Sequence, residues 1–201
     1  MSVGWPLRAG ANPQGGVVVE GSATITQTSA TRLDIIQSSD RAVLDWQSFS
    51  IANNEHTHFQ QPSSGSISLN RVTGGDPSHI FGQLTSNGQI FLINPNGILF
   101  GPGSRVDVAG LLATTSNITN SDFMAGRFEF SAPVNTNAGI VNFGEITVEE
   151  GGLVALVAPW VENSGIITAR LGSVSLVSGN NYTLDLRGPA HSISHRRHRP
   201  W

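Results

Sequence analysis

The chain has 201 residues and a formal charge of −3, with 23 glycines, 10 prolines, no cysteine and only 12% charged residues. Without cysteine there can be neither disulfides nor thiolate metal sites. The acidic balance offers no basic footprint for nucleic acid, because three of the eleven basic residues, all of them Arg, crowd into the last six positions. No window keeps the apolar spacing of a long helix, and no apolar run nears the ~20 residues a membrane-spanning helix needs. Glycine, proline and small polar residues in this proportion predict an all-β chain with many turns, long enough to bury a core.

The first eleven residues end in Ala9-Gly10-Ala11, the small-x-small form of a signal-peptidase site, although Met1 to Arg8 lack an apolar stretch. Residues 1–11 therefore read as the remnant of an export leader, the alternative being a chance Ala-Gly-Ala. Strands are expected at 17–20 and 23–26 around a Gly21 turn, then at 32–37 and 43–51, with Leu44, Trp46 and Ile51 in the core. Residues 90–93 and 98–100 are two further apolar strands joined by Asn94-Pro95-Asn96-Gly97. Each turn position suits its residue: Asn at the first corner, Pro fixing φ at the second, Asn tolerating the third, Gly closing. Taken alone, that tetrapeptide is an ordinary structural corner. The stretch 116–133, with Phe123, Met124, Phe128 and Phe130, is irregular and is expected to leave the main fold as a short helix or hairpin that covers a face.

A repeat emerges towards the C-terminus. Asn142-Phe-Gly-Glu-Ile-Thr147 returns as Asn163-Ser-Gly-Ile-Ile-Thr168, 21 residues on, and Gly152-Leu-Val-Ala-Leu-Val157 returns as Gly172-Ser-Val-Ser-Leu-Val177, 20 residues on. Two short strands in a period of 20 to 21 mark a solenoid. Leucine-rich repeats are excluded by the absence of their Leu-x-x-Leu-x-Leu consensus. Ile146, Val154 and Leu156 alternate with polar or small neighbours, as strands of a parallel β-helix should. If residues 16–188 all coiled at this period, about eight rungs would give a rod of roughly 40 Å, an upper bound because loops divert part of the chain. Asn137, Asn142 and Asn163 sit at corners, where they serve either as stacked amide ladders or as residues tolerant of left-handed backbone before glycine. The last segment, 189–201, shows no strand pattern and is expected to be disordered.

Catalysis finds little support. The acids are scattered, and the adjacent pair Glu149-Glu150 would point to opposite faces of a strand. His56 and His58 share one strand face, but two ligands without a third do not make a metal site. No cofactor site, metal site or catalytic residue is expected. Trp46 and Trp160 stand in strand-like contexts and are expected in the core.

The blocks Asp45-Trp-Gln-Ser-Phe-Ser-Ile51, Phe59-Gln-Gln-Pro62, Leu69-Asn-Arg-Val-Thr-Gly74, Asp76-Pro-Ser-His-Ile-Phe-Gly82 and Phe91-Leu-Ile-Asn-Pro-Asn-Gly-Ile98 occur in this order. With them, the chain from about residue 11 to 187 resembles the N-terminal TPS domain of two-partner secretion exoproteins. This is the filamentous-haemagglutinin N-terminal domain family, and the chain is closest to its high-molecular-weight adhesin group. The resemblance implies a right-handed parallel β-helix with short extra-helical strands or hairpins, over residues 12–188, followed by a non-family tail at 189–201. It implies Sec export, then recognition by the periplasmic POTRA domains of an outer-membrane β-barrel transporter. A downstream passenger, absent here, would fold outside the cell. Asn94, Pro95, Asn96 and Gly97 match the family's secretion motif, and Asn70, Arg71 and Val72 match its second block. Whether they touch the transporter or shape the fold stays open, and so does an alternative in which the β-helix surface acts as an adhesin or binds glycans itself.

Overall fold

The computed structural model describes residues 12–131, 137–179, 181–186 and 191–195. Three parallel sheets wrap around one hollow. The first has the order β1 (Val17–Glu20), β4 (Arg41–Trp46), β6 (Ile67–Val72), β9 (Gln89–Ile93), β12 (Gly110–Thr114), β16 (Leu153–Ala158), β19 (Ser173–Ser178). The second runs β2 (Ala23–Ser29), β3 (Arg32–Gln37), β5 (His56–Gln60), β8 (Gln83–Ser86), β11 (Arg105–Val108), β15 (Glu145–Val148), β18 (Ile166–Ala169). The third is shorter: β7 (Ser78–Ile80), β10 (Ile98–Phe100), β14 (Gly139–Asn142), β17 (Trp160–Asn163). The chain visits the first, third and second sheets in turn; the circuit from β4 to β5 contributes only the Ile51–Ile80 bridge to the third sheet, which therefore has four strands. This is the expected β-helix, with six coils in the first sheet once the antiparallel β1 is set aside.

Register explains why six coils form and not eight. Ile67 pairs with Gln89, Gln89 with Gly110, and Val154 with Val174, all near the expected period. Between Leu111 and Val154, however, the spacing doubles. The extra length is the excursion around α1 (Asn120–Met124) and β13 (Glu129–Phe130); β13 pairs antiparallel with β20 (Tyr182–Asp185), which pairs in turn with β21 (Ser192–His195). The tail expected to lack structure thus supplies a strand. Residues 1–11, where the leader remnant was expected, lie outside the described residues, as do 187–190 and 196–201.

Side chains alternate as the pleat requires, and two cores result. Leu44, Trp46, Leu92, Ile98, Phe100 and Ile146 are among those filling the hollow. The outward residues of the first sheet, Val43, Leu69, Phe91, Leu112 and Val157, form a second core with Phe123, Phe128, Phe130 and Tyr182 of the excursion and the final strands. Phe130 and Tyr182 stack at 4.7 Å. Because this lid covers the outer face, β12 and β16 are buried throughout, which is why Gly110-Leu-Leu-Ala-Thr114 and Leu153-Val-Ala-Leu-Val-Ala158 are nearly continuous in apolar residues.

The two ends differ. At the N-terminal end β1 lies antiparallel to β4 and β2 antiparallel to β3, placing Val18, Ala23 and Ile25 across the mouth of the hollow. At the other end β17, β18 and β19 have no further strand beside them among the described residues. Among the described residues, five of the nine exposed large apolar side chains belong to this last coil: Trp160, Ile166, Leu171, Val174 and Leu176. Trp160, expected in the core, is 45% exposed because it points outward over Gly139, while its neighbour Val161 takes the inward position beside Ile140.

Candidate functional site

The Asn94–Gly97 turn connects β9 to β10 and so carries the chain from the first sheet to the third. Its backbone closes with Gly97 N–H donating to the Asn94 carbonyl at 3.1 Å. Asn94 is fully buried, and every polar group of its side chain is used. Oδ1 accepts from the Asn96 N–H at 2.9 Å, while Nδ2 donates to the Asp76 carbonyl at 3.0 Å and to Ser78 Oγ at 2.9 Å. Asn96 is half-buried and reaches the Gly74 carbonyl through Nδ2 at 3.0 Å. Gly97 has φ of 108°, and a Cβ there would press on the Gly139 carbonyl at 3.0 Å, so glycine is required both by backbone and by space. Pro95 is half-buried.

The second block lies in the coil beneath. Asn70, Arg71 and Val72 end β6, and the loop that follows contains the Gly74 and Asp76 carbonyls that Asn96 and Asn94 hold. The structure therefore brings the two blocks together as consecutive corners of neighbouring coils. Their side chains take opposite directions. Asn70 points into the hollow, accepting from Trp46 Nε1 at 3.0 Å and donating to Ser68. Val72 is in the core. Arg71 points outward to the lid: Nε donates to Asn117 Oδ1 at 3.0 Å, and Nη2 donates to the Ile118 carbonyl and to Asn120 Oδ1, both at 2.9 Å. Its other guanidinium nitrogen lies 3.3 Å from Asp45 Oδ1. One arginine thus ties the loop before α1, and the helix's first residue, to the first sheet. Nothing in the local sequence signals these partners, since they lie 46 to 49 residues away.

The His56–His58 pair becomes part of a polar ladder. Arg32 Nη1 lies 3.0 Å from His56 Nδ1, and a guanidinium can only donate, so this nitrogen is the acceptor. His56 Nε2 then donates to Thr85 Oγ1 at 2.7 Å, leaving the Thr85 hydroxyl proton for His58 Nδ1 at 2.8 Å. Burial, with the Arg32 charge second, lowers both imidazoles below their ordinary range. Arg32 also hydrogen-bonds Asp34 and holds that carboxyl below its usual value. No group of three metal-ligating side chains occurs among the described residues. Glu149 and Glu150 are both exposed at a turn. Of the corner asparagines, Asn142 and Asn163 form the expected ladder, Nδ2 to Oδ1 at 2.7 Å. Asn137 lies apart from them, its carbonyl accepting from Trp160 Nε1 at 3.1 Å.

This arrangement can be set beside known proteins. The chain is 36% identical over 190 residues to the heme/hemopexin-binding protein of Haemophilus influenzae, covering 90% of this chain and 21% of that protein. A second heme/hemopexin-binding protein from Haemophilus influenzae is 40% identical over 119 residues, 59% of this chain and 13% of the relative. The chain thus spans about a fifth or less of these relatives. The crystal structure of the HMW1 secretion domain from Haemophilus influenzae superposes with a TM-score of 0.83 at 37% identity, over 92% of this chain and 49% of that one. The filamentous hemagglutinin secretion domain shares the fold, with a TM-score of 0.62 at 19% identity, over 89% and 68% of the two chains. With its six-coil β-helix, its Asn94–Gly97 corner and a match to the TPS secretion domain over residues 9–199, the chain belongs to the TPS secretion-domain family of two-partner secretion exoproteins.

Proposed function

We propose that this domain directs a two-partner secretion exoprotein to its outer-membrane transporter, by recognition at the transporter's periplasmic POTRA domains after Sec export, and then seeds folding of the chain that follows it. The observation that carries the reading is the asymmetry of the ends. The N-terminal mouth is closed by antiparallel strands, whereas the last coil presents three edges that no described strand pairs, and the half-exposed side chains Val174 and Leu176, which continue the inward column of Val154 and Leu156. A further coil laid on this edge would satisfy the free backbone groups. It would also bury apolar area worth roughly 25 cal/mol per Å². Growth in one direction, away from the membrane, opposes return through the barrel without ATP.

In this reading the Asn94–Gly97 turn and the Asn70–Val72 block act first by fixing the shape of two adjacent corners, with Pro95 and Asn96 the parts of the motif that reach the surface. No catalysis is assigned. Heme and hemopexin binding belong to relatives several times longer and are not carried over.

The test is co-expression of the chain, behind an export signal, with a two-partner secretion transporter of the same organism. Release into the medium should require the transporter and stop when its POTRA domains are deleted. Release without the transporter, or release undiminished by POTRA deletion, would overturn the reading.

A further inference from the structure

The outer face of the second sheet carries a chain of hydrogen bonds whose direction is fixed by chemistry. Arg32 and Asp34 of β3 stand in register with His56 and His58 of β5, and these with Gln83 and Thr85 of β8. The Arg32 guanidinium can only donate, so His56 Nδ1 accepts and its ring proton sits on Nε2. Nε2 donates to Thr85 Oγ1, and the Thr85 hydroxyl donates in turn to His58 Nδ1. Every link requires both imidazoles to be neutral. A proton added to His56 Nδ1 sets two donors face to face across 3.0 Å. One added to His58 Nδ1 leaves the Thr85 hydroxyl without its acceptor.

The chain continues to the end of the sheet. Arg32 Nε donates to Asp34 Oδ1 at 2.9 Å and Oδ2 at 3.1 Å, and Asp34 Oδ2 accepts from Thr28 Oγ1 of β2 at 2.6 Å. β2 is the outermost strand, with no described strand on its far side. Ala23 and Ile25 pack against the hollow, whereas Thr26, Gln27, Thr28 and Ser29 are all exposed. The register with β3 slips between Gln27 and Ser29, so the ladder is irregular at this tip. The outer half of β2 therefore leans on Asp34, and Asp34 on Arg32.

Few charges face the two imidazoles. Arg32 and Asp34 lie on β3, while β2 and β8 carry none. Arg105 and Asp107 of β11 stand one coil behind Gln83 and Thr85, and Arg105 is turned to Glu145 of the coil beyond. Glu55, just before β5, is buried and accepts from the Ala52 N–H. Arg32 opposes a charge on either ring and Asp34 favours one. The Asp34 carboxyl, held below its usual 3.8, stays ionised while the imidazoles titrate, and it is the counter-ion beside His58 in register.

We propose that acid releases the tip of the β2–β3 hairpin, residues 26–32, as a switch built into the N-terminal end. Protonated His56 expels the Arg32 guanidinium, and protonated His58 draws Asp34 away from Thr28. Leu33 and Ile35 face the hollow and keep β3 in place, so the coils behind stay folded. The freed edge of β3 then presents backbone groups that β2 had paired, and below neutral pH both ends of the stack offer open strands. The switch does not depend on the secretion-targeting reading.

The experiment is residue-resolved amide hydrogen exchange of the full chain from pH 7.5 to 4, corrected for the intrinsic exchange rate at each pH. Protection within 26–32 should fall at least tenfold as pH drops below the ordinary imidazole value, while that of 105–108 and 153–158 holds. His56→Gln with His58→Gln supplies amides that accept and donate without titrating, and should keep the tip protected at pH 4. Should circular dichroism show that this variant does not fold, Thr85→Val is read instead: losing the bridging hydroxyl should loosen the tip already at pH 7.5. Unchanged protection of the tip in the unaltered chain, or in Thr85→Val, overturns the switch. A fall that the Gln variant shares assigns the effect to other groups, and an equal fall in all coils makes it general acid unfolding; either result refutes the proposal.

Discussion

Substituting Asn94 by alanine removes three hydrogen bonds at once: those from Nδ2 to the Asp76 carbonyl and Ser78 Oγ, and that from the Asn96 N–H to Oδ1. The site is fully buried, so water does not replace them freely. At about 1 kcal/mol for each bond, the expected loss is about 3 kcal/mol. Asn96→Ala removes a single half-buried bond to the Gly74 carbonyl and should cost about 1 kcal/mol. Urea unfolding followed by Trp46 fluorescence measures both. With a slope of roughly 2 kcal/mol per molar urea, the midpoints should fall by about 1.5 M and 0.5 M respectively. The ratio matters more than either value. If both variants unfold like the original chain while export is abolished, the asparagines act by direct contact and the buried-clamp argument is wrong. If Asn94→Ala loses stability and export together while Asn96→Ala loses export with little stability, the motif divides into a clamp and an exposed contact.

Three further outcomes follow from the same geometry. The folded chain holds His56 and His58 below the ordinary imidazole value of 6.5, so as pH falls the unfolded chain takes up protons first. Their contribution to stability is therefore complete above about pH 6.5 and is lost as pH drops from there toward the lowered folded values. Urea midpoints at pH 7.5 and 5 should differ, and the difference should shrink in His56→Gln with His58→Gln; an undiminished difference assigns the acid sensitivity elsewhere. Arg71→Met keeps the aliphatic stem but removes the bonds to Asn117, Ile118 and Asn120, with an expected cost of roughly 3 kcal/mol. Limited proteolysis should then cut within 117–131 while the coils stay intact, and protection equal to that of the original chain would refute the tie. Val174→Lys with Leu176→Lys puts two charges on the open end, which should lower self-association in sedimentation experiments; unchanged association would mean that end is not the adhesive one.

The repeat was legible because it is local: a strand of alternating side chains followed by an Asn-x-Gly corner needs only one coil of sequence to declare itself. The excursion from 116 to 133 was legible for the opposite reason, since its phenylalanines break the pattern. What the chain does not spell out is which coil has a neighbour. Trp160 sits in the same kind of strand as Trp46, yet Trp46 is 1% exposed and Trp160 45%, because one points into the hollow and the other outward over Gly139. The final strand at Ser192–His195 was missed because four alternating polar and apolar residues mean little until Tyr182–Asp185 is placed beside them.

The site divides along the same line. The turn chemistry of Asn94–Gly97 is written in four adjacent residues, but the acceptors that make Asn94 indispensable, the Asp76 carbonyl and Ser78, lie 18 and 16 residues back and become neighbours only when one coil stacks on another. In a β-helix such contacts are one period apart, so a side chain that faces along the stack reads the coil before it. Asn70 against Trp46, Asn94 against Asp76 and Asn163 against Asn142 all do this. Arg71 also touches Asp45 on the coil before it, but its other partners lie across the excursion. A motif whose side chains bond to the previous coil cannot complete its corner until that coil exists, and its own backbone then pairs with the next, as the Asn94 N–H does with the Thr114 carbonyl. Tight corners and the open last coil are thus two consequences of one construction, in which each coil is completed by its predecessor and completes its successor.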